Sequence, residues 1–243
     1  MVLVPQFPRR LLTESAHDWS LLGVAATPGV TQDSTAAYVR SDGGGFWRCT
    51  MTDVSLSGAR GLKGRDRQRV STLLWRAVRQ VCDGGVNNIV VPRNDALFIP
   101  YPVGIARALT VNHSDDAPFS DGSSYYQPAI DIVATADAEL RATSLDIEII
   151  VAASLLGGES FSIQHDGAGW RIYEIATVDY VDDANATITF NPPLREAVEA
   201  GAQLEFDRPR CMMRLANPAA MDLSIRPWTF NAASAEFIEA PVD

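Results

Sequence analysis

Apolar and polar residues alternate along residues 46–54, with Trp47, Cys49 and Met51 on one side, which predicts a half-buried strand. A shorter strand is predicted over 36–40, and Ser41-Asp42-Gly43-Gly44-Gly45 between the two is a turn signal. The period then changes. Over 64–82, Val70, Leu73, Leu74, Ala77, Val78 and Val81 recur at helical spacing and predict one apolar stripe. Arg65, Arg67, Arg69, Arg76 and Arg79 lie mostly off that stripe. Asp83-Gly84-Gly85 predicts a left-handed stop, and residues 88–92 a short buried strand.

Residues 101–128 show no clear periodicity and are dense in turn formers between 112 and 124, so they read as a connector. From 130 to 215 the pattern is almost entirely strands. Residues 145–149, 161–163, 170–175 and 186–190 alternate, and Gly157-Gly158, 166–169 and 182–185 separate them. Short strands at roughly ten-residue spacing point to a barrel or sandwich. Leu194 to Ala200 is expected to form about one helical turn closed by Gly201, and residues 223–230 and 236–239 two final strands. No internal repeat is detected. The predicted class is mainly β with one principal α-helix.

With 243 residues and 47% hydrophobic content, the chain can build one large β domain or two small ones. It carries 21% charged residues without a long low-complexity tract, which argues against wholesale disorder. The formal net charge of −10 argues against a nucleic-acid surface, which needs clustered Lys and Arg. No run approaches a membrane span, and the start, MVLVPQFPRR, has apolar residues before charges, the reverse of a secretory signal. The expectation is a protein made in a cytoplasm and not inserted in a membrane. Cys49, Cys82 and Cys211 are far apart without metal-ligand spacing and read as buried free thiols.

Catalytic constellations are hard to assemble from this chain. Its histidines are His17, His113 and His165, with no GxSxG, HExxH, P-loop or GxGxxG motif. His113-Ser114-Asp115 sets three triad residue types in a row, whereas a triad needs members converging from separate segments. Asp115, Asp116 and Asp121 offer hard oxygens for Ca²⁺, but the spacing is not that of an EF-hand and a solvated acidic loop explains them. Trp170, Tyr173, Tyr125, Tyr126 and Trp228 could stack on sugars, though aromatics spaced along strands are more often core. The expectation is no catalytic residue, no cofactor and no metal.

Three segments carry a resemblance. The first runs from Phe46-Trp47-Arg48 through Gly58-Ala59-Arg60-Gly61 and Trp75-Arg76-Ala77 to GGVNNIVVP at 84–92. The second is HSDDAPFSDG at 113–122. The third joins GGESFSI at 157–163, ITFNPPLR at 188–195 and PRCMMRL at 209–215. Together they resemble minor tail proteins of long-tailed, siphovirus-type phages and prophages of proteobacteria, of the distal tail type. The resemblance covers most of the chain and is most specific at 192–195 and 209–215.

That resemblance implies a structural, non-enzymatic subunit of a tail tip or baseplate. Such a subunit forms a ring, expected to be a hexamer, that joins the tail tube protein to the central hub protein in the virion tail. It implies a β-sandwich belt-like domain, 1–105 with about 216–243 and helix 64–82. A second β-barrel or sandwich domain would span 106–215, with a connector loop over 106–128. The family offers no catalytic residues. Arg65, Arg67, Arg69, Arg76 and Arg79, together with Arg195 and Arg214, are the candidate interface residues. Two other readings compete: a carbohydrate-binding module of the tail tip, and a hub protein or peptidoglycan hydrolase.

Overall fold

The computed structural model describes residues 4–30, 36–41, 43–56, 65–95, 97–105, 109–111, 125–127, 129–225 and 232–242. Strands β1 (Ala16–Leu22), β2 (Ala25–Val30), β3 (Ala36–Arg40) and β4 (Phe46–Ser55) precede the helix α1 (Arg65–Cys82). There follow β5 (Ile89–Pro92), β6 (Leu109–Val111), β7 (Tyr125–Gln127) and β8 (Asp131–Ala134). Next come β9 (Ser144–Val151), β10 (Ser160–His165), β11 (Gly169–Tyr180) and β12 (Asn185–Asn191). β13 (Arg210–Leu215) and β14 (Ala232–Glu239) complete the series. The protein is therefore mainly β with one principal helix.

The chain divides into two compact units, Met1–Pro92 with Cys211–Val242, and Arg93–Arg210. In the first, a five-stranded sheet runs in the order β1-β4-β14-β13-β5. The strand nearest the C-terminus thus sits at the sheet's centre, paired with β4 and β13. Period-two patterning explains β4: Trp47, Cys49, Met51 and Val54 are buried, and a register shift near Ala233/Ala235 absorbs the residue between Met51 and Val54. β13 and β14 alternate likewise, burying Cys211, Met213 and Leu215 against Ala233, Ala235 and Phe237. The hairpin β1–β4 is continued by the hairpin β2–β3, on which Tyr38 and Val39 are exposed.

The helix buries a different face from the expected one. Ser71, Trp75 and Cys82 are 0% exposed and Val78 7%, whereas Val70, Leu73 and Val81 are 40%, 49% and 44% exposed. Of the predicted stripe, Val78 is buried, Leu74 half-buried and Ala77 exposed. Trp75 decides the orientation, because its indole Nε1 donates to the Met221 carbonyl at 3.2 Å inside the core. The stop falls where expected. Asp83 and Gly84 adopt positive φ, and Gly85 has φ 101° with the Leu215 carbonyl oxygen 2.9 Å from where a Cβ would stand.

The second unit is built on the sheet β10-β11-β12-β9-β8. Its two edges are joined by residues 202–206. Leu204 N–H donates to Ile132 O at 2.9 Å on β8, and Ser162 and Glu205 exchange backbone bonds at 2.8 and 2.9 Å on β10. The sheet therefore closes into a barrel, which removes its open edges. Ile132, Leu145, Ile147, Phe161, Ile163, Tyr173, Ile188, Phe190 and Phe206 fill the interior.

Four expectations need correction here. Residues 194–200 form no helical turn. Leu194 and Val198 are both buried at a spacing of four, which mimics a helix. Their backbones instead pair with the 138–142 segment, through Leu194 N–H to Ala142 O and exchanged bonds between Val198 and Ala138. Within the expected connector, β6 pairs with β7, as befits β-favouring Leu, Val and Tyr. β13, placed by sequence at the end of the second region, belongs to the first sheet. Of the predicted final strands, β14 spans the second, residues 222–225 have no regular structure, and 226–231 lie outside the described residues.

Candidate protein interface

Turning about 100° per residue, α1 places Ser71, Trp75, Val78 and Cys82 on one line and Val70, Leu73, Ala77 and Val81 on another. The second line is exposed and bordered on one side by Arg69 and Arg76, seven residues apart and both exposed. Apolar side chains and guanidiniums thus share one surface. Exposed apolar patches rimmed by polar residues are a kind of surface through which proteins dock partners.

The other candidate arginines are not gathered with these. Arg79 is bonded through Nη2 to Asp222 Oδ1 at 2.5 Å, on the flank away from the stripe. Arg65 and Arg67 lie in the first turn of α1, and their side chains are outside the described residues. Arg214 is half-buried on β13, in register with Ile238 of β14. Arg195 belongs to the second unit, half-buried, its backbone N–H donating to the Tyr173 hydroxyl at 3.1 Å. Sequence reasoning missed that the exposed face is the apolar one. The signal lay in Trp75 and Cys82, residue types seldom left on an open surface, both on the 71–75–78–82 line.

Groups considered for chemistry hold structural positions where they are described. His165 is buried in the barrel wall, its Nε2 2.8 Å from the Tyr173 hydroxyl. Burial holds its pKa down to about 4, assisted by Arg171 and opposed by Glu196 and Asp166. His17 lies beside Arg9 and Glu14. Tyr173 is core, and Trp170 carries the Arg210 guanidinium 4.1 Å above its ring, so neither offers a bare sugar platform. Tyr125 and Tyr126 are on β7 without described side chains. His113, Asp115, Asp116, Asp121 and Trp228 lie outside the described residues. Among the described residues no group of three His, Cys, Asp or Glu is placed to hold a metal ion. All three cysteines are buried free thiols, and burial raises the Cys82 pKa to about 11. No helix among the described residues is long and apolar enough to cross a membrane.

The buried His165 gives a pH dependence. A histidine whose folded pKa lies below its unfolded value stabilises the fold fully above about pH 6.5. That contribution is lost as pH falls through about 4, because the unfolded chain binds the proton first. The shift corresponds to about 3 kcal/mol. His165→Gln is expected to flatten the fall in stability between pH 6.5 and 4 in denaturant titrations. Parallel profiles for parent and variant would show that His165 does not set that slope.

Compared with known proteins, the chain matches no family model and no curated sequence.

Proposed function

We propose that the chain is a structural protein of a phage tail tip, a ring-forming subunit between the tail tube and the central hub, resident in the virion tail and without catalytic activity. The proposal combines the resemblance at 46–92, 113–122 and 157–215 with one structural observation, the exposed apolar stripe of α1 rimmed by Arg69 and Arg76. A subunit that functions alone gains nothing from leaving Val70, Leu73 and Val81 in water, since each apolar face left exposed forgoes burial worth about 25 cal/mol per Å². A subunit that assembles recovers that energy on association. The β2–β3 hairpin, with Tyr38 and Val39 exposed, is a second surface suited to a neighbour.

Electron microscopy of the purified chain, alone and mixed with the tail tube and hub proteins, tests this. The expected result is a closed ring with a lumen and six-fold or compatible symmetry. Particles without rotational symmetry in every mixture would overturn the proposal.

A further inference from the structure

The outer face of the barrel has a character opposite to that of α1. On β9, Leu145 and Ile147 point into the core, so Asp146, Glu148 and Ile150 face outward. Across β12, Thr187 pairs with Asp146 and Asn185 with Glu148; across β11, Asp179 pairs with Thr187. Beyond Tyr180 the hairpin continues into Val181, Asp182 and Asp183. Paired residues share a face, so Asp146, Glu148 and Asp179 stand on one surface with Ile150, 53% exposed. Val181, 76% exposed, lies at the adjoining hairpin end, and its N–H donates to Asn185 O at 2.8 Å. Arg171 is the one Lys or Arg between residues 142 and 194, and it is buried. The carboxylates of this face therefore have no basic neighbour from their own strands.

We infer that the α1 face of one copy, with Leu73, Val70 and Val81 bordered by Arg69 and Arg76, docks on the β9–β11–β12 face of a second copy, where Ile150 and Val181 stand among Glu148, Asp179 and Asp146. This rests on the self-association proposed above and names its two surfaces. The complementarity is of both kinds: among the described side chains, each surface sets exposed aliphatic groups beside charges of one sign, and the signs are opposite. Two different patches meeting make a heterologous contact, which is the kind that builds rings. Carboxylates that share a face repel one another, and the approach of two guanidiniums relieves that repulsion.

The test uses the full chain and two charge reversals, Arg69→Glu with Arg76→Glu, and Glu148→Lys with Asp179→Lys. All four positions are outward-facing and are expected to leave the far-ultraviolet circular dichroism spectrum unchanged. In sedimentation velocity at low ionic strength, each double variant alone is expected to associate about tenfold or more weakly than the parent. An equimolar mixture of the two is expected to recover the parent's association, because each variant's altered face then meets its reversed complement. Added salt is expected to weaken association of the parent. The inference is overturned if either variant alone associates as the parent does, or if the mixture fails to recover. A ring that persists in both variants by electron microscopy removes this contact while leaving the ring proposal intact. A parent that remains monomeric in sedimentation overturns the contact; a ring formed only with tube and hub proteins would still preserve the ring proposal.

Discussion

Trp75→Ala is expected to unfold the first unit, or to lower its stability by about 3–5 kcal/mol, while Leu73→Asp, two residues away, changes it by less than about 0.5 kcal/mol. The contrast follows from the orientation of α1. Trp75 is completely buried, and its Nε1–H satisfies the Met221 carbonyl. Removing the indole leaves a cavity too large for the surrounding side chains to fill and strands a buried acceptor, two costs that add. Leu73 is 49% exposed on the opposite flank, where a carboxylate remains hydrated. Since a domain's whole margin is about 5–15 kcal/mol, the first change removes a large share of it. Hydrogen exchange read by mass spectrometry on peptides from 46–56 and 65–92 separates the outcomes. Fast exchange there in Trp75→Ala with parent-like exchange in Leu73→Asp is the expected pattern. Equal effects would mean that both faces of the helix are packed.

The failure to read that orientation from sequence has a physical cause. Two lines on α1 have helical spacing, Val70-Leu73-Ala77-Val81 and Ser71-Trp75-Val78-Cys82, and the aliphatic count favours the first. Burial went with the second because one indole and one thiol bury well and the small Ser71 permits close approach. Leu74, also on the predicted stripe, is half-buried. Strands were more legible. Along β12, the first half of β9 and β4 as far as Met51, inward and outward residues alternate, and Gly or Asp-Asp breaks lie close to their ends; β10 alternates in sequence but is buried at both Ser160 and Ser162 as well as at Phe161 and Ile163. What pattern could not supply was pairing between distant segments. β14 enters between β4 and β13, and residues 202–206 close the barrel through backbone bonds that any side chains could flank. The candidate interface was legible only as a list of arginines. Nothing in the spacing of Arg69, Arg76 and Arg79 says that the first two border an apolar surface while the third is held by Asp222.

Phe161→Ala is expected to cost the second unit about 3–5 kcal/mol and to loosen the barrel at its closure. Phe161 on β10 is fully buried, with ring centroids 5.5 Å from Tyr173 on β11, 5.6 Å from Phe190 on β12 and 5.4 Å from Phe206 in the closing segment. Its ring thus touches the other three directly. Its truncation removes buried area and three aromatic contacts together, and β-strands tied into a closed ladder cannot move inward independently to fill the space. Residues 202–206 are joined to β10 by the Ser162–Glu205 pair, so slack at position 161 is transmitted to the closure. Phe161→Leu, which keeps most of the volume, is expected to cost about 1–1.5 kcal/mol. The expected signature is faster exchange in peptides covering 129–136 and 160–206, with the 46–56 peptide unchanged because Phe161 belongs to the other unit. Unchanged protection across the barrel in Phe161→Ala would mean that its closure stands without this ring.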